Sequence, residues 1–153
     1  MDHTNPKHPF GIDFNKIPPI PDDPAELTKY LSAFKNLLKI EQDKIKRFHR
    51  SGAGGREVVQ AHTSFIDSVI CYIIEELAAS RKKSSPYTLL EEFSLIAVGG
   101  YGRGELNPCS DIDLLFLTSK NIRRSTDLLI QYFIPILWDL GLEVGSSCRT
   151  LQE

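Results

Sequence analysis

Hydrophobic residues in the first half of the chain recur at helical spacing. Between about residues 24 and 50 this spacing predicts one amphipathic helix, with Asp23 as its cap and Pro24 in its first turn. The apolar stripe of this helix comprises Leu27, Leu31, Phe34, Leu38, Ile45 and Phe48. After a break at residues 51–55, a second stripe runs through Val58, His62, Phe65, Ile66, Val69, Ile73 and Leu77. We expect the two helices to form a packed hairpin, with His62 as a packed histidine rather than a catalytic one.

The pattern changes in the second half of the chain. Short apolar runs predict strands at residues 93–98, 111–117 and 142–150, and a broad apolar face predicts a helix over 122–140. The expected fold class is therefore α/β (α+β), in which an N-terminal helical hairpin precedes a small mixed β-sheet flanked by helices.

Three segments follow from these patterns. Residues 1–24 contain six of the nine prolines and predict a flexible lead-in, although Phe10, Ile12 and Phe14 are suited to docking on the surface. The helical hairpin is expected over residues 25–85 and the sheet-containing core over residues 86–153.

Composition and charge narrow the function classes. The chain has 153 residues, enough for one domain with a core, and a net charge of −2, which gives no reason to expect nucleic acid as the main partner. No apolar run approaches the roughly 18 residues of a membrane span or a signal segment, so we expect a cytoplasmic protein without membrane attachment. The three cysteines, Cys71, Cys109 and Cys148, are widely spaced and are expected to be reduced thiols.

Four glycines lie within residues 99–104, between two predicted strands. The P-loop motif is excluded because Glu105 stands where it requires lysine, and the dinucleotide fingerprint is excluded because Glu105 and Asn107 occupy its third glycine position. Two interpretations remain, a structural tight turn and a backbone that approaches phosphate closely enough to donate N–H groups.

Two aspartates begin the next predicted strand. Asp111 and Asp113 are expected to point to one face, about 6.5–7 Å apart along the strand, with Ile112 directed into the core. Adjacent carboxylates repel unless a cation lies between them, and hard cations such as Mg²⁺ prefer oxygen ligands. A divalent-metal site is therefore favoured over a strand entrance at which both acids remain hydrated.

The combination is more specific than either part. Two glycines, ten residues and then D-h-D, where h is apolar, is the pattern of the DNA polymerase β-like nucleotidyltransferase superfamily. Within it, "VGGYGRGELNPCSDIDLLFL" closely resembles the N-terminal domain of the PII uridylyltransferases, which are bifunctional uridylyltransferase/uridylyl-removing enzymes. The resemblance extends to "FHRSGAGGREVVQAHTSFIDSVI" and "PILWDLGLEVGSSCRTLQE" and covers roughly residues 25–153.

The resemblance implies a role for each motif residue. Catalysis and the binding of one or two Mg²⁺ ions would fall to Asp111 and Asp113, and binding of the nucleotide phosphates to Gly99, Gly100, Arg103 and Ser110. Arg103 is equally suited to pairing with Glu105, and Ser110 to steadying the neighbouring aspartate. A third carboxylate is usual in the superfamily, and it would be Glu143 or lie beyond residue 153.

The implied reaction transfers UMP from UTP to a tyrosine of the PII signalling protein and releases pyrophosphate. Two alternatives remain open: an adenylyltransferase of the same superfamily, and a catalytically silent nucleotide-binding module. Members of the family continue into further domains, so the nucleotidyltransferase core is expected to be truncated at its C-terminal end and this chain to be a fragment.

Overall fold

The computed structural model of the protein describes residues 10–82, 93–118 and 124–152. Within these ranges a short 3₁₀ turn, Phe14–Lys16, is followed by four helices and three strands. In chain order these are α1 (Pro24–Arg50), α2 (Gly55–Lys82), β1 (Phe93–Ala97), α3 (Gly99–Gly102), β2 (Ile112–Thr118), α4 (Arg124–Asp139) and β3 (Val144–Thr150).

The long helix α1 begins where the sequence predicts a cap. The Asp23 carboxylate accepts a hydrogen bond from the Glu26 backbone N–H at 3.0 Å, and Pro24 occupies the first helical position, where its missing N–H costs nothing. The helix ends before Gly52, whose φ of +100° reverses the chain into α2. The expected hairpin is therefore present, with α1 packed on α2.

Apolar burial holds this hairpin together. The side chains at its centre are almost fully inaccessible to water: Phe34, Leu38, Phe65, Ile66, Val69 and Ile73. His62 is also buried, with 6% of its surface exposed, which confirms the packed histidine expected from its place in the apolar stripe.

The segment before α1 packs against the hairpin. The ring of Phe14 stacks on Tyr72 with centroids 4.5 Å apart, and Phe10 contacts Phe48 at 5.2 Å. Of the predicted lead-in, residues 1–9 lie outside the described residues, as does the predicted boundary between the hairpin and the core at 85/86.

The three strands form one mixed sheet in the order β1-β2-β3. β1 pairs antiparallel with β2, and β2 pairs parallel with β3, with Ile112 opposite Val144 and Asp113 opposite Gly145. Phe116 of β2 packs edge-on against Phe133 of α4 at 6.0 Å, so the core continues from the sheet into that helix. The expected combination of helices with a small mixed sheet is confirmed.

Two further expectations concern the cysteines and the membrane. All three cysteines lie in the described ranges, and none forms a disulfide. Among the described helices, none combines the length and apolar character that crossing a membrane would require.

Candidate active site

The glycine loop, residues 98–107, connects the end of β1 to the approach to β2. Val98 is extended, and Gly99–Gly102 then form one short helical turn rather than the simple tight turn expected. The turn closes when the Gly102 N–H donates to the Val98 carbonyl at 2.9 Å, and the Glu105 N–H donates to the Gly100 carbonyl at 2.9 Å. The N–H groups of Gly99 and Gly100 precede the first of these bonds and have no acceptor within the turn.

Two of the glycines are required by backbone geometry. Gly99 has a φ of +63°, a conformation that residues with a Cβ rarely adopt. At Gly102 an added Cβ would lie 2.5 Å from the Ala97 carbonyl oxygen, so no larger residue fits without moving β1.

The loop lies directly beside Asp113. An added Cβ on Gly99 would come within 3.0 Å of one carboxylate oxygen of Asp113, and an added Cβ on Gly145 within 3.0 Å of the other. The Val98 N–H also donates to the Asp113 carbonyl at 3.0 Å, which fixes the start of the loop to β2. The carboxylate thus lies between two positions that lack side chains.

Asp111 lies immediately before the first residue of β2. Asp111 and Asp113 are exposed and Ile112 between them is 4% exposed, as the predicted alternation requires. The Ile112 N–H donates to the Glu143 carbonyl at 2.8 Å. Glu143 immediately precedes β3 and lies alongside Asp111, which immediately precedes β2. Asp111 and Glu143 line one open cavity of about 590 Å³.

These residues suit a magnesium ion whose coordination is completed by a substrate. No cluster of three His, Cys, Asp or Glu side chains within the described ranges is placed to hold a metal ion by itself. Mg²⁺ commonly binds through one or two carboxylates and fills its other positions with water and substrate phosphates. Asp111 and Asp113 supply that kind of donor set, and the two glycines leave space around Asp113.

The other two predicted site residues are exposed. The Arg103 guanidinium donates to the Gly99 carbonyl at 2.9 Å and to the Glu105 carboxylate at 3.3 Å, so it lies along the glycine loop. Ser110 lies in a turn, where its N–H donates to the Asn107 carbonyl at 2.9 Å. Arg103 therefore lies beside Gly99, and Ser110 lies in the turn that precedes Asp111.

A second cavity, of about 370 Å³, lies next to the first and shares Gly141, Leu142 and Glu143 with it. Ser110 and His62 also line it. The Nδ1 of His62 lies 3.2 Å from the Leu106 carbonyl oxygen, which can only accept, so this nitrogen carries the proton. Burial lowers the pKa of His62, so at pH 7 the neutral ring predominates and its Nε2 is an acceptor.

Several residues of this region were not identified from the sequence. The sequence could have indicated Gly145, because a glycine inside a strand pattern often marks a close approach of another group. No pattern in the sequence indicates the roles of Thr63 and Asp67 of α2. The Leu106 N–H donates to the Thr63 hydroxyl at 3.0 Å, and the Tyr101 hydroxyl donates to Asp67 at 2.6 Å.

Comparison of the sequence with known proteins identifies its family. Residues 74–144 match the family model of the nucleotidyltransferase domain. Over 123 residues, or 80% of this chain, the sequence is 35% identical to the bifunctional uridylyltransferase/uridylyl-removing enzyme of Pseudomonas syringae pv. tomato. The enzymes of the same name from Pseudomonas fluorescens and Pseudomonas putida are 35% and 33% identical over the same share.

The match covers 13% of the length of each of these relatives, so the chain spans a small part of them. No solved structure matches the chain significantly. Residues 74–144 therefore belong to the nucleotidyltransferase domain family, and the chain is homologous to the part of the bifunctional uridylyltransferase/uridylyl-removing enzymes that it matches.

Proposed function

We propose that this chain is the nucleotide- and metal-binding part of a uridylyltransferase, which transfers UMP from UTP to a tyrosine of the PII signalling protein and releases pyrophosphate. The observation that carries the proposal is the Asp113 carboxylate, which lies between Gly99 and Gly145 at the edge of the glycine loop. The name shared by the relatives supports uridylyl transfer as the reaction. In this proposal residues 25–85 form the hairpin and residues 86–153 the catalytic core.

The glycine loop binds the triphosphate in this proposal. The N–H groups of Gly99 and Gly100 donate to phosphate oxygens, which can approach the backbone because no Cβ is present. Arg103 adds a positive charge beside them, since its guanidinium already lies on the Gly99 carbonyl. Ser110 orients Asp111 or a phosphate oxygen from the turn that precedes β2.

Asp111 and Asp113 hold one or two Mg²⁺ ions. When bound, the metal neutralises the charge that develops on the transferred phosphoryl group and orients the reacting oxygens. The two carboxylates carry no cationic partner among the described ion pairs, so they are available to a cation from solution. Glu143, which lies beside Asp111 immediately before β3, is the candidate third carboxylate. A uridylyltransferase of this kind would act in the cytoplasm, where its nucleotide substrate is found.

The first test is a calorimetric titration of UTP into this chain with Mg²⁺, with ATP as the competing nucleotide. We expect UTP to bind in a metal-dependent manner and the Asp113→Asn variant, which removes a charge with little change of shape, to lose binding. Asp43→Asn is the matched control, because Asp43 lies on α1 and makes a surface ion pair with Lys46. Equal binding by wild-type protein and Asp113→Asn would contradict the proposed site.

The second test measures pyrophosphate release after Mg²⁺, UTP and PII are added. Release that requires PII and stops in Asp113→Asn would support transfer to PII over hydrolysis of UTP. Preference for ATP in both experiments would instead favour an adenylyltransferase of the same superfamily. Nucleotide binding without any release would favour the silent module.

A further inference from the structure

We propose that helix α2 holds the glycine loop in the conformation that binds nucleotide, and that Thr63 and Asp67 are its positioning residues. This inference rests on the proposed function and names the device that orients the loop. The α2 anchor consists of five residues, three on the helix and two on the loop: His62, Thr63, Asp67, Tyr101 and Leu106.

Leu106, near the end of the loop, is held through both of its backbone groups. Its N–H donates to the Thr63 hydroxyl at 3.0 Å, and its carbonyl accepts from His62 Nδ1 at 3.2 Å. Leu106 as a whole is 1% exposed, so water does not compete for these backbone groups. The end of the loop therefore takes its position from two consecutive residues of α2.

Tyr101, inside the short helical turn, is held by the same helix. Its hydroxyl donates to the Asp67 carboxylate at 2.6 Å, and its ring is 5% exposed. Burial, together with this hydrogen bond to the carboxylate, raises the pKa of Tyr101, so the hydroxyl keeps its proton and remains a donor. Thr63 and Asp67 are four residues apart, which places both contacts on one face of α2.

The anchor adds order that the hydrogen bonds within a glycine-rich loop supply only in part. Glycine loses more backbone freedom on ordering than any other residue, and four of the residues from 99 to 104 are glycine. Phosphate binding requires the N–H groups of Gly99 and Gly100 to converge before the ligand arrives, since ordering them afterwards costs affinity. The buried contacts to α2 supply this order.

The helix side of the anchor lies outside the matched family region. That region begins at residue 74, whereas Thr63 and Asp67 precede it on α2. The hairpin therefore contributes to the site from the part of the chain that the domain model does not include.

The test compares UTP affinity, by calorimetry with Mg²⁺, in variants that remove hydrogen bonds of the anchor. Tyr101→Phe removes only the hydroxyl. Thr63→Val removes, with little change of shape, the hydroxyl that accepts from the Leu106 N–H and donates to the Gly104 carbonyl at 3.3 Å. We expect each to weaken UTP binding about threefold to tenfold. Thr63→Ser, which keeps the hydroxyl, should restore the wild-type affinity, and Asp67→Ala combined with Tyr101→Phe should weaken binding no more than either change alone.

Tyr30→Phe is the matched control. It removes a half-buried hydroxyl that lies 3.2 Å from the Tyr72 hydroxyl, within the hairpin and away from the loop. We expect this variant to change the melting temperature without changing UTP affinity. Thermal melts identify the variants that are folded at the titration temperature, and if Thr63→Val is not, Tyr101→Phe decides the test.

The outcomes separate the inference from the function on which it rests. Weaker binding in Tyr101→Phe with unchanged binding in Tyr30→Phe supports the anchor. A lower melting temperature with unchanged UTP affinity in both anchor variants would overturn it and leave the proposed function standing. Absence of UTP binding by the folded wild-type chain would overturn the proposed function and the anchor with it.

Discussion

The helical hairpin and the glycine loop obtain their order by opposite means. In the hairpin, order comes from side chains, since Phe34 and Leu38 are each 2% exposed and fill the space between α1 and α2. In the loop, order depends on missing side chains, since an added Cβ at Gly102 would lie 2.5 Å from a β1 carbonyl and one at Gly99 would approach Asp113. Packed side chains order the hairpin, whereas close backbone contacts that only glycine permits order the loop.

This difference teaches where the protein tolerates change. A core can exchange one apolar side chain for another of similar volume at small cost, because dispersion and burial depend on size rather than identity. A loop that presents N–H groups cannot gain even one carbon atom where another backbone lies in contact. The two regions meet on α2, whose inner face packs in the hairpin while Thr63 and Asp67 bind the loop.

The largest loss of stability is expected from the hairpin. Phe34→Ala should lower the free energy of unfolding by about 3–5 kcal/mol, since it removes a buried ring and leaves a cavity. Urea denaturation followed by circular dichroism measures the change. UTP affinity per folded molecule should stay unchanged, and a large loss of affinity in folded Phe34→Ala would erase the distinction between the two regions. Leu37→Ala, at a side chain 40% exposed on the same helix, is the control.

A smaller loss of stability with a larger loss of binding is expected from the loop. Gly102→Ala should cost about 1–3 kcal/mol, because Ala97 is paired with Leu114 in the sheet and cannot move freely from the new Cβ. The displaced loop should no longer bind UTP in the calorimetric assay.

Gly55→Ala is the matched glycine substitution in the hairpin. Gly55 begins α2 and has open space where a Cβ would be added, so alanine should leave stability unchanged or raise it by up to about 1 kcal/mol. If glycine-to-alanine changed the free energy of unfolding in the same direction at residues 55 and 102, the contrast between the two regions would be wrong.

The smallest expected effect is a change in pH dependence at His62, where α2 meets the loop. Burial lowers the pKa of His62 below the usual 6.5. Between the lowered pKa and about pH 6.5, the unfolded chain therefore binds more protons than the folded one. The contribution of His62 to stability is present above about pH 6.5 and is lost as the pH falls from there towards the folded-state pKa. His62→Asn, whose amide can still donate to Leu106 but does not titrate, should flatten the stability profile below pH 6.5.

Denaturation midpoints between pH 5 and 8 check this prediction. His49→Asn, at an exposed position on α1, should leave the slope unchanged. Glu143 and Cys109 are the other titratable groups that line the His62 cavity in the part of the chain that the structure describes, so the profile is repeated in Glu143→Gln. An unchanged slope in His62→Asn would show that the titrating group is not His62.

The sequence predicted the helical region closely. The bounds expected for the first helix are those observed, because an apolar stripe, a capping aspartate and a following proline are all local signals. The three strands were also expected within one or two residues, although β2 begins at Ile112 and leaves Asp111 just outside it. The roles of Gly99, Gly100, Arg103, Ser110 and the two aspartates remain predictions, and the titration of Asp113→Asn tests that of Asp113.

What the sequence alone determined is everything carried by neighbours along the chain: helix periods, caps, the alternation around Ile112 and the spacing of the glycines to the aspartates. Only the tertiary structure decided that Gly145 lies against Asp113 and that Thr63 binds the backbone of Leu106. These contacts join residues that are far apart in the chain, and a single hydrogen bond or a single missing Cβ leaves no periodic pattern. Their partners become identifiable only when the sheet register and the packing of α2 bring them together.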